Sequence, residues 1–335
     1  MTTVLRQALV NLPEPDSVAA RAVAERAASV LRPSGALDAL DAIAVHIAGW
    51  QGTTRPQVVQ PAVLLFAGDH GVAAAGVSNY PTDITSAMLA AVREGKATVN
   101  AMAAVTGAFL EVIDVGVGHP TGDIRHESAV TPERCDTITE LAFRAVDSAV
   151  DRGADVVILG ELGIGNTTVA AALAARLAGV PLEFAVGRGT GIDQAGLARK
   201  RAAVEQALER CADVVDPIDT LCQLGGSELV AMAAACVRAR QHRRPVLLDG
   251  YVVAASLLPL HAVDPTALDH CIAGHASAEP GHRHVLDHLG LQPLLALDLR
   301  LGEGTGALAA LPLLELACRV VTDVATFGEW FGETR

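Results

Sequence analysis

The sequence predicts an α/β protein with a doubly wound, mainly parallel sheet, and three observations carry that reading. From Ala62 onward, short β-branched or aliphatic runs alternate with alanine-rich helical stretches, which favours parallel strands joined by helices over an antiparallel sandwich. Glycine-rich loops close several of these runs, among them Ala67-Gly68-Asp69-His70-Gly71, Gly116-Val117-Gly118 and Gly160-Glu161-Leu162-Gly163-Ile164-Gly165-Asn166-Thr167-Thr168. Gly187-Arg188-Gly189-Thr190-Gly191 and Leu301-Gly302-Glu303-Gly304-Thr305-Gly306 extend the pattern. Parallel strands collect such loops along one carboxyl edge, where open α/β sheets bind ligands.

Composition sets the limits. The 335 residues are 51% hydrophobic and 19% charged, enough apolar surface for a substantial core and too little charge for disorder. Aromatics make up only 3% and the net charge is -13, which argues against stacking platforms and against a polyanionic partner held by clustered cations. The expectation is therefore no nucleic acid and no membrane. Six cysteines without a CxxC pair read as reduced core residues of a cytoplasmic protein. Met1 to Glu14 lacks the pattern of a secretory signal. The longest apolar run noted, Tyr251 to Ala262, falls short of the roughly 20 residues that span a bilayer.

In chain order, Asp16-Ser17 caps a helix running to about Leu31, and Arg32-Pro33-Ser34-Gly35 breaks it. A second helix places Leu37, Leu40, Ile43, Ala44 and Ile47 on one face and ends at Gly49. With no strand between them, these helices form a small lobe or an arm for a partner. Strands are expected at Ala62 to Ala67, Leu110 to Val115, Asp155 to Leu159, Glu183 to Val186, Val246 to Leu248 and His270 to Ala273. The apolar run Leu294 to Leu299 reads as a further strand feeding the Glu303 loop. Ala307 to Val321, apolar on nearly all sides and interrupted by Pro312, is expected to return as a buried helix onto the N-terminal lobe.

The Gly160 to Thr168 loop is the best phosphate candidate. Its glycines admit close approach, Asn166, Thr167 and Thr168 add donors, and a helix starting there offers its N-terminal dipole to an anion. It is neither a Walker loop nor GxGxxG, so triphosphate hydrolysis and dinucleotide oxidoreduction lose support. Gly189 lies in the next loop, and the following helix carries Arg199, Lys200 and Arg201, any of which could meet a bound phosphate; a solvated basic face is the alternative. Asp69-His70 reads as ordering its loop through hydrogen bonds. The set His275, Glu279, His282 and His284 lacks zinc-site spacing, so no metal is expected. Glu303 is a lone carboxylate among three glycines, more than capping alone requires.

Five motifs in order resemble the nicotinate-nucleotide:dimethylbenzimidazole phosphoribosyltransferase family, which makes the lower nucleotide of cobalamin. They are Phe66 to Val72, Gly160 to Thr168, Pro245 to Gly250, His275 to His282 and Arg300 to Gly306. The resemblance implies a three-layer Rossmann-like domain over residues 56–305, with a small helical domain built from residues 1–55 and 306–335, and a homodimer. It implies Glu303 as general base and Glu161, Gly163, Gly165, Asn166, Thr167, Thr168, Gly189, Lys200, Arg300 and Leu301 around nicotinate mononucleotide. The segment from Val77 through Met88, with Tyr80 and Met88 named in it, is expected to line the benzimidazole pocket, and Asp69 and His70 complete the substrate set. No cofactor is implied. Where the family usually reads Lys-Pro-x-Gly-Ser-Leu-Gly-Arg-Leu, this chain has Arg32-Pro33-Ser34-Gly35-Ala36-Leu37-Asp38-Ala39-Leu40. A different acceptor such as adenine, a phenol or another azole, and a silent nucleotide-binding paralogue, are the alternatives.

Overall fold

The computed structural model describes residues 4–332. Three short helices lead in: α1 (Val4–Ala8), α2 (Ser17–Ser29) and α3 (Asp38–Gln51). Then come β1 (Pro61–Gly68), α4 (Ile84–Arg93), α5 (Thr98–Thr106), β2 (Phe109–Gly116), α6 (Pro132–Asp151) and β3 (Val156–Leu162). After β3 the chain forms α7 (Asn166–Ala178), α8 (Leu182–Ala185), α9 (Gln194–Arg210), α10 (Pro217–Leu224) and α11 (Ser227–Gln241). It closes with β4 (Val246–Leu248), α12 (Tyr251–Val263), β5 (Cys271–Ala273), α13 (Pro280–Leu289), α14 (Thr305–Thr322) and α15 (Phe327–Phe331).

The five strands pair in parallel in the order β2-β1-β3-β4-β5. Every residue of β1 is buried, as expected where helices cover both faces of a parallel sheet. Its alternation divides the core. Ala62, Leu64 and Phe66 join one cluster with α6, α7, α11 and α12, whereas Val63 and Leu65 join the other with α3, α5 and α14. Three layers result.

Local chemistry sets the helix ends around this sheet. Asp16 caps α2 by accepting from the backbone of Val18 and Ala19, and Thr131 with Pro132 starts α6. Asp193 caps α9 through Gly196 at 2.7 Å. Helix α14 packs against α3, α5 and α2, bringing the two ends of the chain into one layer. Helix α1 lies elsewhere, against α6 and α11 on the opposite face.

Several expectations change. Glu183 to Val186 is not a strand: Pro181 caps the four-residue helix α8, which holds Glu183 to Ala185. Leu294 to Leu299 makes only an isolated bridge, His275 with Leu295, since it hugs the loop after β5 instead of joining the ladder. Gly49 lies inside α3, and Gly52, left-handed at φ 63°, ends that helix. Glu161 and Leu162 extend β3, so the glycine loop proper begins at Gly163. Helix α14 has 18 residues and a mean hydropathy of 1.4, long and apolar enough to cross a membrane. Here it serves as a core helix, burying Leu308, Leu311, Leu314 and Val321 and turning Glu315 and Arg319 outward.

Phe66, fully buried at the centre of the sheet, supplies a stability test. Phe66→Ala should lower the unfolding free energy by about 3–5 kcal/mol, read from urea unfolding; a loss below about 1 kcal/mol would mean the site collapses freely.

Candidate active site

In a sheet of order 2-1-3-4-5 the strand order reverses between β1 and β3, and a crevice opens at their carboxyl ends. A cleft of about 380 Å³ lies there. Tyr80, Glu161, Gly163, Gly165, Asn166 and Thr167 line it, as do Gly189, Arg300 and Leu301. The structure thus brings together nine of the residues expected from sequence. Gly165, at φ 99°, turns the chain into α7, whose first-turn amides offer an anion site. Across the mouth, Arg300 donates to the Gly189 carbonyl at 3.2 Å, and the Asn79 amide donates to Thr190 Oγ1 at 3.1 Å.

Six expected residues stand behind this wall. Thr168 is fully buried within α7 and Met88 is half-buried on α4. The Asp69 carboxylate accepts from the Gly118 amide at 2.8 Å, and His70 pairs with Glu228, so both order the loop as its sequence suggests. Lys200 is wholly buried; its ammonium donates to Thr167 Oγ1 at 2.8 Å and to the Gly187 carbonyl at 3.0 Å. Glu303 is only 3% exposed.

The loop carrying Glu303 is built by conformation. Gly302, Glu303 and Gly304 are all left-handed, at φ 88°, 61° and 81°, a run that only glycines on either side of the carboxylate tolerate readily. The loop presses on β3: a Cβ at Gly160 would come within 2.9 Å of the Glu303 carbonyl group, and the Glu303 amide donates to the Glu161 carbonyl at 3.2 Å. Asp249, at the end of β4, accepts from Ala307 at 2.9 Å and from Gly304 at 3.3 Å, capping α14 and holding the loop. Glu303 Oε2 is buried without a hydrogen-bond partner among the described residues.

Burial raises both acids. Glu161 is held well above the usual carboxylate range by desolvation, then by the charges of Asp249, Glu228 and Glu303, while Asn166 opposes the shift by donating to it. Desolvation also raises Glu303, opposed by a backbone amide at Val99 and reinforced by Asp249.

Asp249, His275 and Glu279 also line the cleft; the sequence marked His275 and Glu279 only as members of a set without zinc-site spacing, and Asp249 only within the Pro245 to Gly250 motif. Glu279 accepts from the Gly189 amide at 3.0 Å. Glu228 was missed, and its signal is a carboxylate opening the apolar stretch Leu229 to Val237. Cys236, His270 and Cys271 form a buried group with metal-ligand chemistry that sequence spacing did not suggest. It lies in the core outside the cleft, where His270 Nε2 sits 3.0 Å from the Cys236 carbonyl oxygen.

Fold and cleft define a Rossmann-like α/β protein with its site at the carboxyl edge of a parallel sheet. The sequence matches the family model described as Phosphoribosyltransferase over residues 12–330. A Cereibacter sphaeroides relative named nicotinate-nucleotide--dimethylbenzimidazole phosphoribosyltransferase is 45% identical over 319 residues, covering 95% of this chain and 93% of the relative. A Novosphingobium aromaticivorans protein of the same name is 45% identical over 325 residues, covering 96% and 94%. The crystal structure of CobT from Thermus thermophilus superposes with a TM-score of 0.90 at 39% identity, covering 95% of this chain and all of that one. The chain belongs to this phosphoribosyltransferase family.

Lys200 offers a pH test. Burial lowers its ammonium to about 8 from an ordinary 10.5, so the fold disfavours the charged form. The penalty is complete below pH 8 and is relieved as the pH rises to 10.5, because over that window the unfolded chain binds more protons. The stability of the free protein relative to Lys200→Met should therefore rise across that window in urea unfolding. A flat difference would show that the ammonium is not desolvated.

Proposed function

We propose that the enzyme transfers the phosphoribosyl group of nicotinate mononucleotide to dimethylbenzimidazole, giving α-ribazole 5′-phosphate and nicotinate in assembly of the cobalamin nucleotide loop. One observation carries the reading: an open helix N-terminus and a buried carboxylate, whose Oε2 has no hydrogen-bond partner among the described residues, meet at the same sheet edge, in a chain whose relatives bear that enzyme's name. The phosphate is assigned to the first turn of α7 with Thr167 and the Gly189 loop, and Arg300 supplies a cation at the mouth. Lys200 acts from behind, adding positive charge through Thr167 and Gly187.

Nicotinate leaves from C1′ as a neutral ring, its bonding electrons returning to the pyridinium nitrogen. One benzimidazole nitrogen attacks from the opposite face, which inverts the anomeric carbon and leaves the new ring cationic. The other ring N–H then becomes acidic, and Glu303 accepts that proton. A carboxylate raised by burial suits the task, since desolvation makes it a stronger proton acceptor than a solvated one. Tyr80 flanks the way in for the base.

A homodimer and a cytoplasmic location belong to the same proposal. The exposed Phe327, Trp330 and Phe331 support a protein partner, and six free, buried cysteines fit a reducing compartment.

Incubation with nicotinate mononucleotide and dimethylbenzimidazole, followed by liquid chromatography with mass detection, should show nicotinate and the ribazole phosphate forming in equal amounts. Nucleotide binding without either product would redirect the search to other acceptor bases. Glu303→Gln should lower kcat by roughly 10² to 10⁴ in steady-state assays, and a near wild-type rate would remove Glu303 from the role of base.

A further inference from the structure

Beneath the glycine loop lies a buried, hydrogen-bonded polar pair that the chemistry above does not use. His70 and Glu228, 158 residues apart, are both wholly buried, with His70 Nε2 2.5 Å from Glu228 Oε1. Glu228 sits in the first turn of α11, where the helix N-terminus favours a carboxylate, and His70 lies just beyond β1. The pair therefore ties the β1 loop to the central buried helix. Among the described residues, His70 Nδ1 and Glu228 Oε2 have no other hydrogen-bond partner, so each side chain depends on the other.

The turn from β3 into α7 rests on this pair. A Cβ at Gly163 would come 3.1 Å from Glu228 Oε1, 3.3 Å from His70 Nε2 and 2.5 Å from the Gly68 carbonyl oxygen. At Gly165 it would lie 3.4 Å from His70 Cβ, and at Gly226 it would strike the imidazole. Backbone and side chains are thus in direct contact, leaving no slack to adjust. Glu161 precedes this turn and Asn166 follows it, and both line the cleft. The height of the turn determines where the first amides of α7 meet a ligand.

We propose that His70 and Glu228 form a positioning pair for the nucleotide, holding the Gly163 to Asn166 turn at the level that Glu161 and the α7 N-terminus require. Buried ion pairs are weak stabilisers compared with apolar replacements of equal volume, so a pair kept under a binding loop is better explained by the geometry it holds. The side of the cleft formed by Val77 to Tyr80 has a further anchor in Thr190, which bonds to Ser78 and to the Asn79 amide. The pair therefore acts first on the nucleotide.

The inference rests on the proposed reaction. The test is steady-state kinetics of Glu228→Ala, Glu228→Gln and His70→Asn, varying nicotinate mononucleotide and dimethylbenzimidazole separately, with thermal unfolding to confirm folding. Glu228→Ala should raise KM for the nucleotide about tenfold or more while changing KM for the base less than about twofold. Glu228→Gln, which keeps the shape and one hydrogen bond, should recover the nucleotide KM to within about threefold of wild type. Both KM values rising in step, neither changing, or Gln proving as impaired as Ala would overturn the proposal. Should Glu228→Ala fail to fold, His70→Asn, whose shorter side chain cannot reach Glu228, is read by the same split. Absence of turnover in the wild type counts against the reaction itself, and calorimetric binding of nicotinate mononucleotide then decides: about tenfold weaker binding in the variant supports the pair, and unchanged binding refutes it.

Discussion

One backbone contact organises the rest of this enzyme: the seating of the Gly302 to Gly304 turn on the carboxyl end of β3. The Glu303 amide bonds to the Glu161 carbonyl, and Gly160 has no side chain because the turn occupies that space. Asp249 holds the turn from the β4 side through two amides. Glu161, Asp249 and Glu303 are thereby gathered as buried carboxylates at one sheet edge. Desolvation raises Glu161 and Glu303, and the charge of Asp249 raises both further.

The same turn joins the site to the scaffold. Gly304 is the N-cap of α14, so Glu303 is delivered at the head of a long apolar helix that binds α2 and α3 into one layer. On the other face, α11 presents Glu228 to His70 beneath the Gly163 turn. The cleft is therefore bordered from both layers of helices, one carrying the Glu303 turn at its head and the other packing beneath the Gly163 turn. A parallel sheet makes this possible, since its strands all point their carboxyl ends, and hence their loops, at one edge.

Much of this arrangement was legible in the sequence. Alternating aliphatic runs marked β1, β2, β3, β4 and β5, because buried parallel strands need continuous apolar residues. The glycines around Glu303 marked the loop as more than a cap, and the structure has three consecutive positive φ angles there. Where local reading failed, tertiary packing overrode it. Glu183 to Val186 had the composition of a strand and became helix α8, and Leu294 to Leu299 was apolar enough for a ladder it never joins. Lys200 was expected at the cleft and lies one layer behind it, held by Thr167 and Gly187.

By itself the sequence determined the fold class, the edge on which ligands gather and the loops that would form the cleft, because hydrophobic period and glycine placement are local properties of the chain. Only the tertiary structure decided which polar groups stand on the wall and which stand behind it. Glu228 pairs with His70 across 158 residues, and Cys236 meets His270 and Cys271 in the core. No spacing rule foresees such contacts, since they are set by how helices and strands far apart in sequence pack. The raised acids have the same origin: a carboxylate's proton affinity depends on the water and charges that folding removes or gathers around it.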